Sequence, residues 1–375
     1  MGPRQSKTWR LDGRELGWVG LISKLPFGLL PGACCLLAVL LLPSPSLAGS
    51  KTKSLGPATV PELELTGGRK LRYEGSISSE KEAKGRPRIW GRLLNAVAGG
   101  PDFHALINPY SVVTDSHGRV IVTDPGASGI HIFDFVQHKY KFISRSKDTD
   151  GLTSPQCVAV DAADNIYATD SYNGKIFVFD STGKFQRVIG SIKGEGFFKR
   201  ATGIAVDSRA QRVYVTDTLR NQIWVLDWQG AIVRKIGLRG TREGQFNYPT
   251  ELRLDGANLL VVDAMNFRVQ ALDRDGKFEF AIGELGDANG SLFRPKGIGV
   301  DSEGHIYVVE GLSGIVDVFD RQGRLLYDFG QRGSGFGDFR LPTGLFIDAS
   351  DRVFVVDSYN RRIQVFQYFA LKQHD

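Results

Sequence analysis

Cysteine is scarce. The 375 residues hold three, Cys34, Cys35 and Cys157, too few for a disulfide framework or a paired-cysteine metal site. Histidine is almost as rare, at His104, His117, His131, His138, His305 and His374. These six do not share a position in the repeat described below. That argues against a histidine zinc centre, because a metal needs several ligands converging at bonding distance. No nucleophile elbow or phosphate-binding glycine loop is present; Gly333-Ser334-Gly335-Phe336-Gly337 is glycine-rich but reads as a connector, with no helix pattern after it. Long apolar runs are confined to one, residues 25–42.

Arg4, Lys7, Arg10, Arg14 and Lys24 precede that run, and Ser46-Leu47-Ala48 follows it. This order of charge, apolar core and small residues is the layout of a secretory signal peptide over residues 1–48, cut after Ala48. The expectation is export to the periplasm or the extracellular space. The rival reading is an N-terminal anchor tethering the chain through residues 25–42, a run approaching the length of a membrane span. Pro26, Gly28, Pro31 and Gly32 interrupt such a helix and favour cleavage. Pro31-Gly32-Ala33 ahead of Cys34 makes a poor lipidation box. Loss of the leader removes five Lys/Arg and two Asp/Glu and lowers the formal charge from +6 to +3, which leaves no strong basic excess for a nucleic-acid partner. Residues 49–66 mix Gly, Ser, Lys, Thr and Pro without periodicity and read as a solvated spacer without structure.

Self-similarity decides the fold. An aspartate recurs at Asp115, Asp161, Asp207, Asp255, Asp301 and Asp348, and a second acid at Asp124, Asp170, Asp217, Asp263, Glu310 and Asp357, at intervals of 46 to 48 residues. Runs such as Ile204-Ala205-Val206-Asp207, Val213-Tyr214-Val215-Thr216-Asp217 and Ile223-Trp224-Val225-Leu226-Asp227 read as short strands between turn residues. Four such antiparallel strands make one propeller blade, so residues 67–375 are expected to form an all-β, six-bladed β-propeller. The last unit lacks a fourth strand, and an open ring would expose unpaired edges. Residues 69–76, spaced like residues 184–191, are assigned as the N-terminal strand that closes the ring; residues 91–98 are the second candidate. Residues 78–100 then form an insertion, with a short helix around 90–97.

The unit Pro-x-Gly-Ile-x-Val-Asp, followed by Val-x-Val-x-Asp-x-x-Asn-x-Arg-Ile-x-Val-Phe, is clearest at Asp357-Ser358-Tyr359-Asn360-Arg361-Arg362-Ile363-Gln364-Val365-Phe366 and is kept at Asp263-Ala264-Met265-Asn266-Phe267-Arg268-Val269. It resembles the NHL repeat over about residues 69–370. The resemblance implies a propeller that binds a partner on one face. Some relatives of this architecture are amidating lyases, antibiotic-opening lyases or lactonases with a metal near the axis. The units depart from the pattern where Ala127, Arg220 and Ser313 replace Asn, and where Gly129, Lys175, Gln222 and Ile315 replace Arg. The repeated acids read as structural, capping turns and accepting backbone amides. An axial calcium site using Glu251 or backbone carbonyls stays open.

The connectors leading into the blades carry the candidate binding residues: Phe198-Lys199-Arg200, Phe246-Asn247-Tyr248, Phe293-Arg294, Phe339-Arg340-Leu341 and Phe103-His104. The phenylalanines are expected to pack between blades. Lys199, Arg200, Tyr248, Arg294, Arg340 and His104 are expected to gather on one rim and attract an anionic ligand or an acidic protein patch, plain solvated charge being the alternative. Cys157 stands where Gly203 and Gly297 stand in other units and reads as a small buried residue. The functional expectation is a non-catalytic, monomeric extracytoplasmic scaffold for a protein or carbohydrate partner, without cofactor, metal or nucleic acid. The alternative is a metal-assisted lyase or lactonase.

Overall fold

The computed structural model describes residues 62–65, 68–84, 104–144, 151–193, 195–286 and 290–370. The leader, most of the spacer, the helix expected around 90–97 and the second closing candidate at 91–98 lie outside them. Among the described residues no helix is long and apolar enough to cross a membrane.

Six antiparallel blade sheets follow one another along the chain, with a two-stranded hairpin of Ser191–Ile192 and Glu195–Gly196 between the second and third. Blade 1 comprises Ser111–Thr114, Val120–Asp124, Gly129–Asp134 and Lys139–Ser144. Blade 2 comprises Pro155–Val160, Ile166–Asp170, Lys175–Phe179 and Phe185–Ile189, and blade 3 Ala201–Asp207, Arg212–Asp217, Gln222–Asp227 and Ile232–Ile236. Blade 4 comprises Pro249–Asp255, Asn258–Asp263, Arg268–Leu272 and Phe278–Ile282, and blade 5 Pro295–Val300, Ile306–Glu310, Ile315–Phe319 and Leu325–Phe329. Blade 6 has Leu345–Ile347, Arg352–Asp357 and Arg362–Phe369, and its fourth strand is Lys70–Ile77, running antiparallel with Lys70 opposite Phe369 and Ile77 opposite Ile363. The ring is thus closed by an N-terminal strand, as the repeat requires. The second strands are buried almost throughout, whereas the fourth strand of blade 3 is exposed at four of its five residues. Val, Ile and Tyr therefore dominate the strands clasped between two neighbouring sheets, where branched and aromatic side chains pack on both faces.

Two local features differ from expectation. Glu62–Glu64, assigned to the unstructured spacer, adds a fifth strand to blade 6 and pairs with Lys70–Ile77; Lys70 Nζ lies 2.8 Å from Glu62 and 3.4 Å from Glu64. Within the insertion the described helix is Glu80–Lys84, directly after the closing strand. Ser79 and Glu82 start it as a capping pair, the Ser79 amide and hydroxyl donating to the Glu82 carboxylate at 2.9 and 2.8 Å, and fully buried Ala83 packs against Ile77, Leu106 and Phe133.

The innermost strands touch their neighbours backbone to backbone. A Cβ on Gly297 would stand 2.4 Å from the Leu345 amide nitrogen, and one on Gly344 2.7 Å from the Tyr110 carbonyl, which is why the Pro-x-Gly glycine recurs. Threonine hydroxyls tie successive blades: Thr123 donates to the Gln156 carbonyl, Thr169 to that of Thr202, and Thr216 to that of Thr250 at 3.0 Å. Each blade is then plugged by one apolar side chain of its leading connector: Leu106, Leu152, Phe198, Phe246, Leu292 and Phe339, all buried. In blade 5 this overturns the assignment of Phe293, which is 49% exposed. Counted back from Pro295, Leu292 holds the register of Phe246 and Phe339, and Phe293 falls one residue later, on the surface.

The second repeated acid of each blade closes the leading connector onto that blade. Asp124 accepts the amides of Ile107 (2.6 Å) and Asn108 (2.9 Å), Asp170 those of Thr153 (2.6 Å) and Ser154 (2.9 Å), and Asp217 those of Lys199 (3.0 Å) and Arg200 (3.1 Å). Asp263 accepts the Asn247 amide at 2.6 Å, Glu310 that of Arg294 at 3.0 Å and Asp357 that of Arg340 at 2.7 Å. In blade 4 the second oxygen of Asp263 also takes Asn266 (2.8 Å), Arg268 (3.0 Å) and Gln270 (3.1 Å), and in blade 6 Asp357 takes Asn360 (2.8 Å), Arg362 (2.7 Å) and Gln364 (3.1 Å). Blade 5 replaces those three donors by Ser313, Ile315 and Asp317.

Asp317 is 4% exposed. Burial, followed by the charges of Glu310 and Asp328, pushes its carboxyl up to about 7. The folded protein therefore holds a proton that the unfolded chain has released between about pH 4 and 7, so stability falls as pH rises through that window. Asp317→Asn is expected to raise the melting temperature at pH 8 by a few degrees, corresponding to about 1–4 kcal/mol, with the gain shrinking towards zero by pH 4. Thermal melts of both proteins across that range check it; an equal difference at both ends would contradict the account.

Candidate binding face and axial mouth

The connector leading into a blade and the turn between its second and third strands lie together. The Ser171 amide donates to the Ser154 carbonyl (3.1 Å), Thr218 to Arg200 (3.0 Å), Met265 to Asn247 (3.0 Å), Gly311 to Arg294 (3.1 Å) and Tyr359 to Arg340 (3.1 Å). With the acid contacts beneath, these bonds fix connector and turn as one rigid face of the ring.

Of the rim candidates, Arg200 and Tyr248 meet: a guanidinium nitrogen of Arg200 donates to the Tyr248 hydroxyl at 3.2 Å. The Arg340 guanidinium lies 4.4 Å above the Tyr359 ring, a cation–π geometry. Lys199 and Arg294 are exposed on the same face. His104 does not join them. Its ring packs beside Tyr140 and Phe142, with Nδ1 3.4 Å from the buried Glu80 carboxylate. The reason is again register: with Leu106 as the plug, Ile107 and Asn108 hold the two surface positions of that connector, and His104 falls ahead of them.

One set of face residues escaped the sequence reading. The second residue after the repeated acid is Tyr172, Leu219, Met265, Leu312 and Tyr359 in blades 2 to 6, and each is exposed, from 47% for Leu219 to 78% for Tyr172. Ile107, Phe293 and Leu341 of the connectors are exposed beside them. The signal was present as a large apolar side chain at a fixed offset inside a polar turn. Blade 1 has Gly126 at that position.

At the axis, charged side chains come from blades 4 and 5. Arg253 donates to the carbonyl of Leu345 in blade 6 at 2.9 Å, lies 3.4 Å from the Ile298 carbonyl of blade 5 and from Glu251, and stands 5.0 Å above the Phe346 ring. Blades 4 and 6 are not neighbours, so the side chain reaches across the channel. Burial pushes the Glu251 carboxyl up to about 7 against the opposing charges of Arg253 and Lys296. Burial also pushes the Cys157 thiol up, with the Glu251 charge acting in the same direction, so Cys157 is held as a neutral thiol. Charge opposes the axial calcium alternative: the carboxylate that would bind the ion already faces a guanidinium and an ammonium, and the residues present do not suit a divalent cation.

Asp115, His117 and Asp164 also bring ligand atoms within 4.8 Å of one another. The two carboxylates are already engaged by hydrogen bonds: Asp115 by Arg119 (2.5 Å) and the His117 and Arg119 amides (3.0 Å each), Asp164 by the Ser116 amide (2.9 Å), the Ser116 hydroxyl (2.7 Å) and His117 Nδ1 (3.0 Å).

Six antiparallel sheets around one axis, with turns and connectors gathered on one face, make this protein a six-bladed β-propeller. Two of its repeat units, residues 152–179 and 339–366, match the NHL repeat. Over 67 residues the chain is 36% identical to the protein brain tumor of Drosophila melanogaster, a stretch that spans 18% of this chain and 6% of that protein. Similar solved structures include a streptogramin B lyase (TM-score 0.51, 16% identity, covering 70% of this chain and 94% of that one). A gluconolactonase from Xanthomonas campestris is similar at TM-score 0.52 and 16% identity, covering 82% and 92% of the two chains. An auxiliary nutrient binding protein from Bacteroides thetaiotaomicron is similar at TM-score 0.55 and 14% identity, covering 70% and 69%. At these identities the likeness is one of fold.

The axial pair carries its own test. Arg253→Ala leaves Glu251 buried without its guanidinium and is expected to cost about 3–5 kcal/mol, whereas Arg253→Met combined with Glu251→Leu removes both charges and recovers most of the loss. Urea unfolding midpoints decide; a single variant as stable as the parent would mean that the two groups are not coupled.

Proposed function

We propose that the chain is a non-catalytic binding scaffold, exported by its N-terminal leader, whose turn-and-connector face docks a protein partner through apolar contacts framed by acid–base pairs. The observation that carries this reading is the row of exposed Tyr172, Leu219, Met265, Leu312 and Tyr359 at one repeat position on one face, interleaved with Lys199, Arg200, Arg294 and Arg340. Single exposed apolar residues are ordinary, but a contiguous set framed by polar groups marks an interaction surface. Tyr, Met, Phe and Arg are the side chains enriched at interface cores. A frame already held by buried carboxylates loses little freedom on binding, so more of the contact energy is left for affinity. The ring closes within one chain, which suits a monomer. A carbohydrate partner would use the tyrosines but give the cations and Leu219, Met265 and Leu312 no role.

Three outcomes test the proposal. The exported chain is expected to begin at Gly49, by intact mass of the secreted protein; an unprocessed N-terminus would favour the tether. Combining Leu219→Glu, Met265→Glu and Leu312→Glu is expected to weaken partner capture by at least about tenfold without lowering the melting temperature, while Val136→Glu, in an opposite-face turn, leaves capture unchanged. After dialysis against a weak chelator the protein is expected to retain well under one metal per chain; one tightly held metal together with turnover of lactones or amides would replace the scaffold by an enzyme.

A further inference from the structure

We infer that the mouth of the propeller axis, bounded by Lys296, Arg200, Arg294, Tyr248 and Thr250, is a receptor for one carboxylate, presented as an acidic side chain or a chain terminus of the protein partner. The inference rests on the scaffold reading for the source of the carboxylate and on the local geometry for the site.

Between the leading Pro or Ala and the closing Asp of the six innermost strands, the charged residues are Glu251, Arg253 and Lys296. Arg253 is consumed by its carbonyl acceptors in blades 5 and 6 and by Glu251. Lys296 is different. Among the described residues it makes no hydrogen bond or ion pair, yet burial and then the charges of Arg294 and Arg200 depress its ammonium. Gly311 opens its path: a Cβ there would lie 3.2 Å from the Lys296 side chain, and the other turns carry Pro125, Ser171, Thr218, Ala264 and Ser358 at that position. At the same strand position in the adjacent blade, the Thr250 hydroxyl oxygen is buried without a partner. The Tyr248 hydroxyl accepts from Arg200 and keeps its own proton to donate.

An unpaired ammonium flanked by the charges of two guanidinium groups, an unpaired hydroxyl on the adjacent blade and a phenol proton thus border the mouth, and the acid acting on that ammonium, Glu251, already faces Arg253. Like charges collected in a desolvated mouth repel, and an anion relieves that repulsion.

Glu251 makes the receptor proton-linked. It faces Arg253 on its own strand, Lys296 of blade 5, and Cys157 and Tyr110 of blades 2 and 1, both held neutral by burial. As Glu251 gains its proton on going from pH 8 to pH 6, the mouth becomes more positive and carboxylate binding strengthens.

The experiment is calorimetric titration of the full chain with three probes: acetyl-triglutamate amide, acetyl-trialanine with a free C-terminus, and inorganic phosphate. The expected result is saturable binding of a carboxylate probe, weakened about tenfold or more by Lys296→Met and unchanged by Lys277→Met on the opposite face. Affinity rises several-fold from pH 8 to pH 6 in the parent and stays flat in Glu251→Gln. Which of the two peptides binds identifies side chain or terminus. Binding of phosphate alone, equal binding by parent and Lys296→Met, or a pH response that persists in Glu251→Gln would overturn the inference. If the probes fail while the glutamate variants of the face still lose the partner, the receptor falls and the scaffold stands; the reverse pattern removes the docking face and leaves the mouth as a small-carboxylate site.

Discussion

A carboxylate buried at the end of each second strand, accepting backbone amides from the connector that enters the blade, is the constraint on which the rest of this propeller depends. A buried charge is costly unless its hydrogen-bond capacity is filled, and here the connector amides fill it. Hydrogen bonds to charged groups contribute about 1.5–3 kcal/mol each, and the same contact occurs once per blade. It converts a loop that would otherwise wander into a fixed ledge, places one apolar plug beneath the blade, and leaves the next two side chains facing solvent. The surface that could recognise a partner is therefore a by-product of how the ring is stitched.

The same stitching explains what the sequence revealed and what it hid. The recurrence of Asp115 to Asp348 and of Asp124 to Asp357 specified six blades, because period survives any local ambiguity, and the absence of a fourth strand after Phe369 pointed to residues 69–76 as the closing strand. Register inside the connectors was harder to read. Phe293 has the residue type of a plug, aromatic and near a proline, yet Leu292 sits three residues before Pro295 and does that work. His104 failed in the same way, three residues ahead of Ile107. Spacing from the blade start, and not residue type, sets which side chain points inward.

Two further features arise only in three dimensions. Tyr172, Leu219, Met265, Leu312 and Tyr359 share an offset that the sequence displays, but apolar residues within a repeat are usually core, and only their exposure separates them from the plugs. Arg253 is the opposite case. Its departure from small or apolar residues at Ala159, Ala205 and Gly299 is visible in the repeat, whereas its reach across the axis to Leu345 is a matter of three-dimensional closure.

A repeat frame makes such departures informative, since five sibling blades show what the fold alone requires. The charged departures concentrate in blades 4 and 5: Glu251 and Arg253 at the axis, Lys296 at its mouth, and Asp317 in place of a neutral glutamine. Glu251, Lys296 and Asp317 are each ionisable groups held where burial opposes their charge. Local rules broken without a gain in stability are where function is expected to reside. The frame built by the buried carboxylates tolerates them because each blade is anchored independently, so one sector of the ring can carry electrostatic strain while the others hold the geometry.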